Sequence, residues 1–293
     1  MEVLQVSIVG LLTGIVYSII ALAFVVIYRA SKIVNLAQGQ VVLICAFFVW
    51  LFLDRMGFPV WLGMPASFLA AAGLAVIVER VVFRRLIGQP VFSVVMASVG
   101  LLILLQGAAQ LFFGPQHRAF PSVLPEGTFA FGPISVSKSL VIGAVITVVI
   151  TELLHRFFAA SRIGLRLAAV AEDHMTALSL GISVRQAALI AWILGTLLSL
   201  VAGVILLSGG VLALDVSQIG LRALPIALLG GLESVRGALI AGIIVGVGEA
   251  LTSQYLDKMT VGAASLVFPY LLMILILLLR PEGLFGWKRI ERL

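Results

Sequence analysis

The 293-residue chain contains a single cysteine, Cys45, inside an apolar run, so no disulfide can close within it and no mixed Cys/His metal spacing exists. Its three histidines, His117, His155 and His174, lie far apart and form no HExxH-type pair, which excludes a readable metal site. The phosphate-cradling pattern GxxxxGK[ST] is missing, as is any Gly-Lys dipeptide, so the chain is not expected to hydrolyse ATP itself. GxSxG is missing too. No catalytic residue, metal or cofactor is therefore assigned. No Lys or Arg precedes Arg29, so the opening run lacks the basic region of a secretory signal, and Val3 to Tyr28 is expected to remain as a first span.

Charge is equally scarce, at 11% of residues, while hydrophobic residues make up 62%, against roughly 45–50% in soluble domains. That balance belongs to an integral membrane protein. The net charge of +6 is read as basic loops facing lipid head groups, not nucleic acid, because no stacked aromatic and basic face accompanies it. About 20 apolar residues cross a bilayer. Uncharged runs of that scale occur at 3–28, 33–53, 56–78, 86–116, 186–214 and 259–279. Three weaker runs, 138–158, 218–232 and 237–256, carry Glu152, Arg222 and Glu249. The expected fold is an all-α polytopic transmembrane bundle of 8–9 spans, with nine preferred and the 218–232 crossing the weakest.

With the N-terminus outside and nine crossings, outside segments hold only Arg55, Arg118, Lys138 and Lys258 among the basic residues. Arg222 falls within a span, and the other basic residues lie inside, which fits the positive-inside rule and leaves the C-terminus cytoplasmic. If 218–232 returned to the outside as a hairpin, the basic tail WKRIERL would become external, so charge favours a crossing. Pro225, Gly230 and Gly231 imply that it is irregular. Residues 1–293 read as one compact membrane domain without internal repeat.

Small residues four apart recur at Gly10 and Gly14, at Gly195, Ser199 and Gly203, and at Ala238, Gly242, Gly246 and Ala250. They imply close helix packing, inside the bundle or at a subunit seam. Most acids adjoin loops; Glu249 is the deep exception, with Arg222 a candidate partner across the bundle. The segment Ser161–Ser183 has an apolar stripe through Leu167, Val170, His174, Ala177 or Leu178 and Gly181. It reads as one amphipathic cytoplasmic helix capped by Gly181, and its Glu172–Asp173 pair suits docking to a protein better than lying on a membrane. Polarity nominates Asn35, Gln38, Ser93, Ser98 and Gln106 on early spans, and Ser199 and Ser208 on the sixth, as lining a translocation pathway.

Three stretches then occur in a telling order: VNLAQGQ (34–40), SRIGLRLAAVAED (161–173) followed by LGI, and ALLGGLESVRGALIAGIIVGVGEAL (227–251). With VERVVFRRL, ASVGLLILLQ and LLLRPEGLFG, they make nearly the whole chain resemble the permease subunits of ABC importers for branched-chain amino acids. The resemblance implies a subunit of the bacterial inner membrane that pairs with a second related permease. It further implies two cytoplasmic ATP-binding-cassette ATPases and substrate delivered by an extracytoplasmic binding protein. It places Arg166, Ala171, Glu172, Asp173 and Gly181 in a coupling loop, about 159–185, that touches the ATPase. The usual family motif resembles I-N-F-A-H-G-E; Leu36, Gln38 and Gln40 depart from it, removing a histidine and an acid, while Asn35, Ala37 and Gly39 match. Asn35 is expected just inside the cytoplasmic end of the second span, capping its helix or bonding to exposed backbone, and Gln38 to bond to neighbouring spans or a wet pathway. The contrasting functional reading is a self-sufficient secondary carrier or channel, against which the scarcity of deep acids argues.

Overall fold

The computed structural model describes residues 2–131, 134–172, 174–260 and 262–286. In chain order its helices are α1 (Glu2–Ser31), α2 (Gln38–Trp50, prolonged by a wider π-helical turn to Arg55), α3 (Val60–Val81), α4 (Val91–Phe113), α5 (Lys138–Ala160), α6 (Arg162–Glu172), α7 (His174–Ser179), α8 (Val184–Leu207), α9 (Ile219–Gly230), α10 (Val235–Tyr255) and α11 (Ala264–Leu279). Seven of these, α1 to α5, α8 and α10, are long and apolar enough to cross a membrane among the described residues; α11 is apolar but only 16 residues long. The protein is an all-α helical bundle of multi-pass membrane type. Helix starts follow local chemistry. Pro59 and Pro90 stand before α3 and α4, and the hydroxyls of Ser183 and Ser234 accept from the amides of Gln186 and Gly237 at 3.3 and 3.0 Å.

α1 is the central post. Its stretch from Ser18 to Ile27 is buried throughout, as expected of a helix that is apolar on every side. α10 runs antiparallel to it, with Gly10 against Ala250, Gly14 against Gly242 and Gly246, and Ser18 against Gly242. A Cβ added at Gly14 would lie 2.1 Å from the Gly242 carbonyl oxygen, so backbone meets backbone at this seam. The small residues of these two helices thus face each other within one chain. Gly195 instead makes room for the Ile27 side chain, whereas an added Cβ at Gly203 would make ordinary contact, 3.5 Å from Ala46.

The bundle has two distinct ends. At one, the strands β1 (Arg118–Ala119) and β4 (Val211–Leu212) pair antiparallel, a hairpin joins β2 (Thr128–Phe131) to β3 (Ile134–Ser137), and the Arg118 guanidinium lies 4.2 Å over the Trp50 ring. At the other, Lys32 pairs with Glu233, Arg236 reaches Glu152 at 2.9 Å, and α6 and α7 pack below α1, α5 and α8. The chain from Leu212 to Glu233 therefore passes from the first end to the second, although only the 12 residues of α9, about 18 Å of helix, are α-helical. After α11 the chain lies against the end of α9, where the Leu284 amide donates to the Leu229 carbonyl at 2.8 Å. Lys288, Arg289 and Arg292 lie outside the described residues.

In the amphipathic loop the residues on either side of Asp173, 162–172 and 174–179, are helical, and Asp173 itself lies outside the described residues. Leu167, Val170 and Ala177 are buried as their spacing predicts. Gly181, at φ 75°, ends α7 in a Schellman arrangement: its amide donates to the Leu178 carbonyl at 3.0 Å and the Ile182 amide to that of Ala177 at 2.9 Å.

Between α10 and α11, Asp257 accepts from both the amide and the hydroxyl of Ser265, at 2.9 and 2.7 Å, tying down the start of α11. The Ser265 hydroxyl bond, then its amide bond, holds this carboxyl below the usual aspartate range. A carboxyl depressed on folding stabilises above its unfolded pKa and loses that contribution as the pH falls through its folded value. Asp257→Ala is expected to lower the thermal midpoint by a few degrees at most at neutral pH, with the difference from wild type vanishing under strongly acidic conditions.

Candidate functional site at the crossing of two interrupted spans

The VNLAQGQ segment does not enter a helix at the end of the bundle. Lys32, at φ 54° the only described non-glycine residue with positive φ, turns the chain out of α1, and residues 32–37 run non-helical and largely buried before α2 begins at Gln38. Unwound backbone inside a membrane bundle needs replacement hydrogen bonds and a cover of protein. Here the Asn35 Oδ1 accepts from the Ala37 amide at 3.1 Å, forming an Asx-type turn, and its carbonyl accepts from the Gln38 amide at 3.2 Å. Asn35 Nδ2 donates to Gln38 Oε1 at 3.0 Å, Gln38 Nε2 donates to Ser199 Oγ at 2.5 Å, and Ser199 Oγ donates to the Gly195 carbonyl at 2.9 Å. Asn35, Gln38 and Ser199 are at most 1% exposed. Ser199 is 15 positions into α8, about 22 Å from its start, so Asn35 and Gln38 sit deep in the bundle and not near the end of a span.

A second interruption meets the first. A 3₁₀ turn, Leu214–Gln218, precedes α9, and the starts of α2 and α9 touch at Gly39 and Gly220. A Cβ on Gly39 would lie 1.9 Å from the Ser217 carbonyl oxygen, and one on Gly220 would lie 2.3 Å from the Gly39 nitrogen. Glycine is required at both positions by close approach. Two non-α-helical stretches, one before α2 and one before α9, thus meet at one place.

Below the unwound segment, towards the α6–α7 end, is a cavity of about 610 Å³ lined by Lys32, Val34, Glu79, Phe83, Gln89 and Trp192 among others. Glu79 is fully buried yet satisfied by Arg84, whose Nε and Nη2 donate to it at 3.1 and 2.9 Å. Phe83 stacks on Trp192 at 4.4 Å. This chamber had no sequence signal, because its walls come from the ends of α1, α3, α4 and α8.

The remaining polar residues nominated for a pathway do not gather around Gln38. Ser98 is buried and its hydroxyl donates to the Val95 carbonyl at 2.8 Å, while Gln106, also on α4, keeps a buried side-chain oxygen without a hydrogen-bond partner among the described residues. Ser93 is exposed at the start of α4. Ser208 ends α8 and accepts from the Leu124 amide at 2.8 Å, securing the loop at that end. In the α6–α7 segment, Arg166 and Glu172 are exposed, Ala171 is buried, and Gly181 stands free of contacts within 4 Å of an added Cβ.

Residues 7–277 match the family model described as the branched-chain amino acid transport system permease component. The chain belongs to this permease family. Among relatives of the permease, the branched-chain amino acid transport permease BraD of Pseudomonas aeruginosa is 30% identical, over 99% of this chain and 97% of that protein. LivH of Salmonella typhimurium, another high-affinity branched-chain amino acid permease, is 30% identical over 97% and 95%. A solved structure of PsaBC from Streptococcus pneumoniae in complex with Fab aligns at a TM-score of 0.48 and 16% identity, covering 96% of the permease and 93% of that chain.

Proposed function

We propose that the permease is the membrane subunit of an ATP-binding-cassette importer for branched-chain amino acids or related small carboxylates or amides, moving substrate by alternating access. The match across residues 7–277 to branched-chain amino acid permeases carries the reading. On this reading the chain sits in a bacterial inner membrane, crosses it nine times with α9 as the short crossing, and has its N-terminus outside and C-terminus inside. It pairs with a second permease and two cytoplasmic ATPases and receives substrate from an extracytoplasmic binding protein. The lack of a phosphate loop in this chain accords with energy coming from a separate subunit.

Within that scheme, Asn35, Gln38 and Ser199 act as the frame of the passage more than as its lining, because they saturate one another and are buried. Gln106, with its free acceptor, is the nominated polar residue best suited to meet substrate, and Ser98 lies two turns away on the same helix. The chamber at the α6–α7 end serves as the exit. The exposed apolar side chains of Leu178 and Leu180, beside exposed Glu172, form the ATPase contact, since such groups outside the bilayer call for a protein groove. Coupling of this kind works only if the contact differs between inward and outward states.

Purification from the native membrane in mild detergent, with mass spectrometry of every co-purifying protein, tests the assembly. An ATPase and a second permease are the expected companions; this chain alone, with ion-driven flux in liposomes, would replace the reading with a secondary carrier. Reversing charge at Glu172→Lys with Asp173→Lys is expected to leave the fold intact and lower ATP-driven uptake at least tenfold, through weakened docking. Uptake at the wild-type rate would remove the docking role.

A further inference from the structure

Four of the five ion pairs among the described residues are close: Lys32 with Glu233, Glu79 with Arg84, and Glu152 with both Arg156 and Arg236, all at 2.9 Å or less. The fifth is different. Arg222 of α9 and Glu249 of α10 stand 3.8 Å apart, beyond hydrogen-bonding range, and Glu249 has no hydrogen-bond donor among the described residues. The Arg222 guanidinium has the Tyr17 phenol of α1 beside it, and Tyr270 of α11 donates its hydroxyl to the Leu221 carbonyl at 3.2 Å. Four helices thus bring one cation, one anion and two phenols together. Glu249 lies about two thirds of the way along α10, level with the Gly10 region of α1, well within the apolar length of the bundle.

The pair is also open. The Arg222 side chain is 38% exposed and that of Glu249 18%. Ionised groups inside a membrane face a bundle interior or a watery passage, not lipid. A cation and an anion set side by side, each with unused hydrogen-bonding capacity, match the two charges of a zwitterion: a carboxylate takes the planar guanidinium fork and an ammonium takes the carboxylate.

We infer that Arg222 and Glu249, flanked by Tyr17 and Tyr270, form a charge clamp on the translocation pathway for the carboxylate and ammonium of a zwitterionic α-amino acid. This rests on the permease reading above and adds to it a site and the feature of substrate that the site recognises. The clamp is positional: no bond is made or broken.

The test uses the full co-purified assembly with its binding protein in liposomes, measuring ATP-driven uptake of radiolabelled leucine, isoleucine and valine. Arg222→Gln and Glu249→Gln are each expected to lower uptake at least tenfold, while thermal midpoint, subunit composition and basal ATP hydrolysis stay near wild type. The exchanged pair, R222E with E249R, is the second variant. It restores an ion pair, but reverses the charges that a chiral substrate meets, so it is expected to fold like wild type and still transport poorly. Wild-type uptake by either single variant, or by the exchanged pair, would make the pair a structural contact and overturn the clamp while leaving the permease reading intact. Absence of ATP-driven uptake by the wild-type assembly would instead overturn the permease reading, and the clamp with it.

Discussion

Gly14→Val in α1 is expected to prevent accumulation of folded protein. The Cβ alone would sit 2.1 Å from the Gly242 carbonyl oxygen and 3.0 Å from the Gly246 Cα. Overpacking in a core usually costs about 1–3 kcal/mol because side chains can shift. Here the obstructing atoms are backbone of an antiparallel helix, so relief requires α1 and α10 to separate along their length, losing the contacts that substitute for hydrophobic drive within a membrane. Two comparison variants give the expectation its shape. Gly203→Ala meets only ordinary contact at 3.5 Å and should unfold near the wild-type temperature. Gly73→Ala in α3, with nothing within 4 Å, should be neutral or stabilising by up to about 1 kcal/mol through helix propensity. Fluorescence-detected size exclusion after a heating series reads all three. A Gly14→Val protein that stays monodisperse with a midpoint like that of Gly203→Ala would contradict the backbone seam.

The second large effect is expected from Gln38→Leu. The substitution is close in size, yet it removes the acceptor of Asn35 Nδ2 and the donor to Ser199 at once. A buried polar group left without its partner costs about 1–3 kcal/mol. With both bonds lost, the thermal midpoint of a chain of this size should fall by roughly 5–10 °C. Ser199→Ala leaves only Gln38 Nε2 unsatisfied and should cost less. Combining the two substitutions should cost less than the sum of the separate effects, because the second removes a group that the first has already orphaned. Strict additivity of the midpoint shifts would mean that the Gln38–Ser199 bond does not form. Transport should fall further than stability, since the same bonds fix where the unwound segment meets α9 at Gly39 and Gly220.

Much of this was readable before any fold was in view. The strongly apolar runs mark the long helices, the small-residue spacing marks Gly10, Gly14, Gly242 and Gly246, and Glu249 has the partner that depth and charge suggested in Arg222. The VNLAQGQ motif was legible as polar groups in need of partners, but not as a break. An uncharged run from Ile33 to Leu53 looks like one continuous span, because hydropathy does not record whether a backbone amide is bonded within a helix or by an asparagine side chain. The helical stripe through the coupling loop likewise predicted the buried Leu167, Val170 and Ala177.

By itself, the sequence determined the features that composition and local spacing dictate: a membrane bundle, a chain without a phosphate loop, packing faces of small residues, and a Schellman turn at Gly181. These depend on transfer of side chains from water and on backbone geometry within a few residues, both of which are local. Only the tertiary structure decided that Gln38 bonds to Ser199, 161 positions away, that α2 and α9 are broken against each other, and that Arg222 and Glu249 stand open at 3.8 Å. Those facts arise because in an apolar interior each unwound backbone group and each charge must find its partner across space, and the partner's distance along the chain has no bearing on the energy of that contact.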